Sequence, residues 1–245
     1  MKLSSWKSTL VGMTFFVACV LGGGSGSSSS TATPQPANTT NASQHTNSGA
    51  ASDIAGTYSV TGTNEDGSPY KGELDIIKHG AVYQFRWNAG KQYDGVGVTN
   101  GRVVAVAFTE GTQGKGCGVV SYQILRDGVL DGKWGYWGTD ESGTEKATPV
   151  GDSGLAGNYD TTGKNPNGSA YKGKLAIAAE AGGYKFAWSN NSSGFGIKQG
   201  NVLTVGLGGS QCAFVAYEIK SDGLLEGIWG GYGSSKTGTE KATKK

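Results

Sequence analysis

The sequence predicts an all-β protein: two tandem, small, antiparallel up-and-down β-barrels of about eight strands each, after a disordered N-terminal tether. Three observations carry this. The run Asp127–Thr148, DGVLDGKWGYWGTDESGTEKAT, returns 95 positions later as DGLLEGIWGGYGSSKTGTEKAT at Asp222–Thr243, so the chain is a duplication. Apolar and polar residues alternate at period two through most of each copy, the pattern of strands with one buried face. The 245 residues include 44 Gly, 11 Tyr, 7 Phe and 6 Trp against 2 Met and 2 His, a composition of short, tightly turned strands with large side chains.

Residues 1–21 read as an export signal. Lys2 and Lys7 precede the apolar run Leu10–Leu21, which is too short to span a bilayer comfortably. Phe16-Val17-Ala18-Cys19 offers Cys19 as a lipid-attachment residue, and a membrane contact through that lipid. The alternative is ordinary cleavage near Gly22–Gly24. Residues 22–54 form the tether, uncharged from Gly22 to Ser52 and without apolar periodicity, so little in it offsets the entropy of ordering. The protein is expected outside the cytoplasm, lipid-anchored in a bacterial envelope or secreted.

The first copy is drawn as residues 55–148, the connector as 149–155 and the second copy as 156–245. Equivalent positions lie 101 apart early in the repeat and 95 apart late, so the second copy is six residues shorter, the loss falling between Trp87 and Cys117. One parity collects the apolar side chains: Tyr58 and Val60, then Tyr70, Leu74 and Ile76, then Tyr83, Phe85 and Trp87. The opposite parity is expected to be wet. Asp66-Gly67, Asn100-Gly101 and Asp127-Gly128, with Asn167-Gly168, Gln199-Gly200 and Asp222-Gly223, mark tight turns between antiparallel neighbours. A meander of this kind hides its apolar face and its edges by closing. Each copy is expected to close on itself. A single larger barrel or sandwich shared by both copies is the alternative.

The frame G-x-Y-x-x-x-G-x-N-x-x-G-S-x-Y-x-G at Gly56–Gly72, followed by D-G-x-L-x-G-x-W at Asp127–Trp134 and G-T-E-x-x-T at Gly143–Thr148, recurs in the second copy. In general form it resembles the avidin and lipocalin-like group of meander barrels. More specifically it is similar to exported bacterial repeat proteins that carry the name fibronectin-binding. The resemblance implies a barrel fold and, as an expectation, an extracellular protein partner.

Catalytic chemistry finds little support. His45 lies in the tether, His79 becomes Glu180 in the second copy, and Asp127 and Asp222 belong to turns. No metal-ligand spacing or phosphate loop occurs, so neither enzyme activity nor a cofactor or metal is expected. The formal charge is +2, and Lys2 and Lys7 account for it, which argues against a nucleic-acid surface. Cys117 and Cys212 occupy equivalent places and either bridge the repeats or stay unpaired. Tyr58, Tyr70, Trp87, Tyr122 and Trp134, with Tyr159, Tyr171, Trp188, Tyr217 and Trp229, are expected inside the barrels, as filling or as a ligand pocket. Trp137 and Tyr232 are expected to face outward as partner-binding aromatics. If Ala147 points inward, so does Glu145, and it then needs hydrogen bonds from tyrosines such as Tyr58 or Tyr70. If Thr144 points inward, Glu145 is solvated. The expected function is an exported binding or adhesion module for a protein or glycan. The alternatives are a carrier of a small apolar ligand and a structural envelope protein.

Overall fold

The computed structural model describes residues 53–114, 116–151, 154–180 and 182–245. The export signal, Cys19 and the tether as far as Ser52 lie outside the described residues. Strands β1 (Gly56–Thr63), β2 (Pro69–His79), β3 (Val82–Asn88), β4 (Gln92–Asn100) and β5 (Val103–Glu110) form a meander. The chain then leaves this sheet. Strands β6 (Gly118–Ile124), β7 (Leu130–Tyr136), β8 (Gly143–Pro149), β9 (Gly157–Lys164), β10 (Ala170–Glu180), β11 (Gly183–Trp188), β12 (Ser193–Gln199) and β13 (Val202–Leu207) close a barrel by pairing β13 with β6. A 3-10 turn at Gly209–Gln211 leads back to β14 (Ala213–Ile219), β15 (Leu225–Gly230) and β16 (Gly238–Lys244). These pair β14 with β5 and β16 with β1, and so complete the first barrel.

Two closed eight-stranded antiparallel barrels are therefore present, but they do not follow the boundaries 55–148 and 156–245. Each takes five strands from one copy and three from the other. The second barrel is continuous in sequence and is inserted into the first between β5 and β14. The inward ladder is compatible with exchange. Val104 and Val106 meet Tyr217 and Val215, while Leu203 and Val205 meet Tyr122 and Val120. The partner from the same copy would offer the same residue types at the same parity.

Turn chemistry sets the hairpins as the Asx-Gly pairs predict. Gly67 and Gly168 take φ of 85° and 81°, which only glycine adopts readily, and Asp66 and Asn167 accept the backbone N–H of Ser68 and Ser169 at 2.9 and 3.0 Å. The tether ends earlier than residue 54. Ile54 is buried against the first core and accepts the Tyr58 hydroxyl at 2.7 Å, and Leu155 accepts Tyr159 at 2.8 Å in the second barrel. These segments plug one end of each barrel.

The outward faces decide the pairing of the barrels. One wet face holds for the strands flanking β1 and β9, but β4 to β6 and β12 to β14 are buried on both sides. Val82, Val96, Val98, Ala105, Ala107 and Val119 form an apolar layer outside both barrel cores, and Phe195, Ile197, Phe214 and Ala216 form its pseudo-symmetric counterpart. Small side chains let the two sheets approach. The signal is visible in VVAVAF at 103–108 and VLTVGL at 202–207, where apolar residues run on instead of alternating.

Trp137 and Tyr232 belong to this layer. Trp137 packs on the Val82 cluster, and the Tyr232 ring lies 5.6 Å from Phe195. Both are half-buried, contrary to the expectation of exposed positions, because their outward side faces the other barrel. Cys117 and Cys212 form a disulfide at the entries to β6 and β14, with Cα atoms 5.8 Å apart, across the two points where the chain passes between barrels.

Two outcomes follow from this topology. The bridge closes a segment with a sequence separation of 95, so reduction or Cys117→Ser with Cys212→Ser should lower unfolding free energy by about 4 to 5 kcal/mol, read from denaturant midpoints. Residues 118–207 contain a complete closed ladder and should fold alone as a monomer with cooperative melting. Residues 56–110 alone, lacking β14 to β16, should not.

Candidate functional site

Strands β8 and β16 carry the repeated GTEKAT segment, and each closes its barrel against the first strand of the other copy. Ala147 and Ala242 are wholly buried, which fixes the parity and turns Glu145 and Glu240 inward, at 4% and 5% exposure. A carboxylate so placed must be supplied with donors. Tyr122 donates to Glu145 Oε1 in a short contact, Trp188 Nε1 donates to the same oxygen at 2.9 Å, and Tyr171 donates to Oε2 at 3.0 Å. The first barrel repeats the arrangement. Tyr217 donates to Glu240 Oε1 in a short contact, Trp87 Nε1 donates at 3.0 Å, and Tyr70 donates to Oε2 at 2.7 Å.

The tyrosine class expected for Glu145 is therefore right and the copy is wrong. Tyr70 serves Glu240, and its counterpart Tyr171 serves Glu145, because strand exchange delivers each β8 or β16 to the opposite copy's β9 or β1. Tyr58 plays no part, since it caps the plugged end. Glycine makes the packing possible at Gly132 and Gly227, where a Cβ would collide with the rings of Tyr122 and Tyr217.

Burial dominates the electrostatics. It raises the Glu240 carboxyl above its ordinary value, against the downward pull of the hydrogen bonds from Tyr217, Trp87 and Tyr70. Burial first, and then the carboxylate, push the hydroxyls of Tyr217, Tyr122, Tyr70 and Tyr171 far up, so these phenols stay protonated donors.

Each carboxylate sits at the floor of an open mouth. In the second barrel the hollow measures about 300 Å³ and is walled by Trp134, Tyr171 and Trp188 with Thr161, Asn165, Asn190 and Ser192. In the first it measures about 160 Å³ and is walled by Tyr70, Trp87, Tyr93, Phe108 and Trp229. Sequence equivalence explains the difference: Tyr93 and Phe108 correspond to Ser192 and Leu207, and Val60 to Thr161. Trp134 Nε1 donates to the Tyr171 hydroxyl at 3.1 Å, whereas the buried Nε1 of Trp229 has no partner among the described residues.

All ten aromatics expected inside the barrels are there. Tyr58 and Tyr159 fill the plugged ends; Tyr70, Trp87, Tyr122, Trp134, Tyr171, Trp188, Tyr217 and Trp229 surround the two carboxylates. Sequence reasoning missed Trp87 and Trp188 as carboxylate donors. Their matching 101-residue offset marked them as equivalent, yet only closure brings β3 and β11 across to β16 and β8. Among the described residues no group of three or more His, Cys, Asp or Glu is placed to hold a metal ion. No protein-family model, curated protein or solved structure matches the chain.

The raised carboxyl of Glu240 gives a signed pH effect. The folded chain holds this proton more tightly than the unfolded one, so the contribution to stability is full below about 4.5 and is lost as pH rises through the folded value. The melting temperature of the native chain minus that of Glu240→Gln should therefore fall as pH is raised from about 4 towards neutrality. A difference independent of pH would show that the carboxyl is not held above its ordinary value.

Proposed function

We propose that the chain is a binding protein with two small-ligand cups, one in each barrel, each recognising a compact molecule that has an apolar or aromatic body and a donor-bearing or cationic end. The observation that carries the reading is the buried carboxylate at the floor of each aromatic mouth. A hollow that is plugged at one end, carries aromatic rings in its wall and holds a fixed polar group at its floor is the usual form of a small-molecule site. Each Glu accepts three donors, which fix its rotamer and leave lone-pair capacity on Oε2, where only one tyrosine bonds.

Binding is favoured over catalysis by the company the carboxylates keep. In the first mouth burial opposes the ionisation of the phenols around Glu240, so the carboxyl has no second titrating group beside it to complete an acid–base pair. The adhesion reading loses the two residues on which it leaned, since Trp137 and Tyr232 pack between the barrels. Export, with or without lipid at Cys19, would place the cups outside the cytoplasm.

Native mass spectrometry of freshly purified chain should show retained mass that is released on unfolding. A small-molecule screen should find compounds that raise the melting temperature, with about 2.7 kcal/mol of stabilisation at a hundredfold excess over Kd. A chain of bare mass that no compound stabilises would defeat the proposal.

A further inference from the structure

We propose that the mouth of the first barrel is an aromatic cage for a compact alkylated ammonium ion. The inference rests on the small-ligand reading and names the ligand class of one of the two cups.

The walls are the first observation. Trp87 and Phe108 have ring centroids 5.3 Å apart and tilted by 47°, Tyr93 stands edge-on to Phe108 at 5.9 Å, and Trp229 meets Phe108 at 6.5 Å and 71°. Tyr70 closes the box against Trp229 at 6.4 Å and 69°. Rings set at steep angles form the corners of a container, not a stack. A cation within about 6 Å of several ring centroids is attracted by each quadrupole, and alkyl groups satisfy the apolar walls.

Charge is the second observation. Glu240 lies at the floor with Oε2 bonded only by Tyr70. Outside the cage, Tyr93, Phe108 and Trp229 continue into a vestibule lined by Glu65, Asp66 and Glu110. Lys91 pairs with Glu110 at 2.9 Å, Lys236 lies near Asp66, and Glu65 accepts the N–H of Gly231, which leaves the rim acidic on balance. A negative rim over low-dielectric walls concentrates cations at the mouth.

The second barrel serves as an internal comparison. Its equivalents of Tyr93 and Phe108 are Ser192 and Leu207, and its equivalents of Glu65, Asp66 and Glu110 are Pro166, Asn167 and Gly209. Lys172 and Lys174 line its mouth. It keeps the buried carboxylate and loses both the box and the acidic rim. The carboxylate with its donors is thus common to both barrels, and the cage belongs to one.

Size is consistent with a small guest. The hollow of about 160 Å³ is several water volumes of about 30 Å³ each and lies below the range of drug-sized sites.

The test is calorimetric and fluorimetric titration of the chain with choline and tetramethylammonium, against 3,3-dimethylbutan-1-ol, the uncharged isostere of choline, with sodium chloride holding ionic strength constant. Choline should bind one site per chain at least about tenfold more tightly than the isostere. Glu240→Gln should weaken it by a similar factor. Tyr93→Ser with Phe108→Leu, which installs the second barrel's own residues, should abolish the preference for charge, and this pair decides the matter if Glu240→Gln fails to fold. Equal binding of the isostere would overturn the cage and leave the small-ligand function standing. Ammonium binding that survives Tyr93→Ser with Phe108→Leu would place it elsewhere and overturn the cage, as would the absence of ammonium binding. Retained mass in the native spectrum separates that failure from failure of the small-ligand function itself.

Discussion

A glutamate taken out of water costs several kcal/mol unless donors replace its hydration, and each barrel carries one to its centre. Most of what is distinctive in the sequence can be traced to meeting that cost. Tyr122, Tyr171 and Trp188 converge on Glu145, and Tyr217, Tyr70 and Trp87 converge on Glu240, from strands on three sides of the wall. The glycines at 132 and 227 exist beneath tyrosine rings that must lie flat to reach the carboxylates. Because the donors come from different strands, the carboxylate also acts as a cross-brace and fixes the register of the closing strand. Breaking one partner would leave a buried charge short of a donor, which is why such a cluster is hard to alter piecemeal.

The same cluster ties the two copies together. Each carboxylate is supplied by one copy and two of its three donors by the other, so neither repeat completes a site alone. Exchange of strands, the apolar layer around Val96, Val119, Phe195 and Phe214, and the Cys117–Cys212 bridge all act at the two places where the chain passes between barrels. Duplication then permits divergence. With the carboxylate and its donors held constant, the mouth residues changed, giving one wide polar cup and one narrow aromatic cup on a common scaffold.

Much of this was legible in the sequence. Period-two alternation located the inward faces of most strands, but it left GTEKAT open between Ala147 and Thr144, and only the structure turned Glu145 and Glu240 inward. The Asx-Gly pairs fell at hairpins, and the equivalence of Cys117 and Cys212 suggested the bridge. The rest was hidden for an identifiable reason. Trp87 and Trp188 gave no local sign of being carboxylate donors, because their partners lie 153 and 43 residues away. Trp137 and Tyr232 read as solvent-facing because parity assigns a side of the sheet and not what lies beyond it.

The sequence by itself determined the strands, their turns and which aromatic side chains share the inward parity, all of which depend on local alternation and on backbone preferences of glycine, asparagine and aspartate. Only the tertiary structure decided which copy's strands close which barrel. Two nearly identical repeats offer the same inward ladder to either partner. The choice therefore falls to long-range contacts on the outer faces and to the path of the two crossings; the apolar runs at 103–108 and 202–207 mark faces that are covered, and not what covers them.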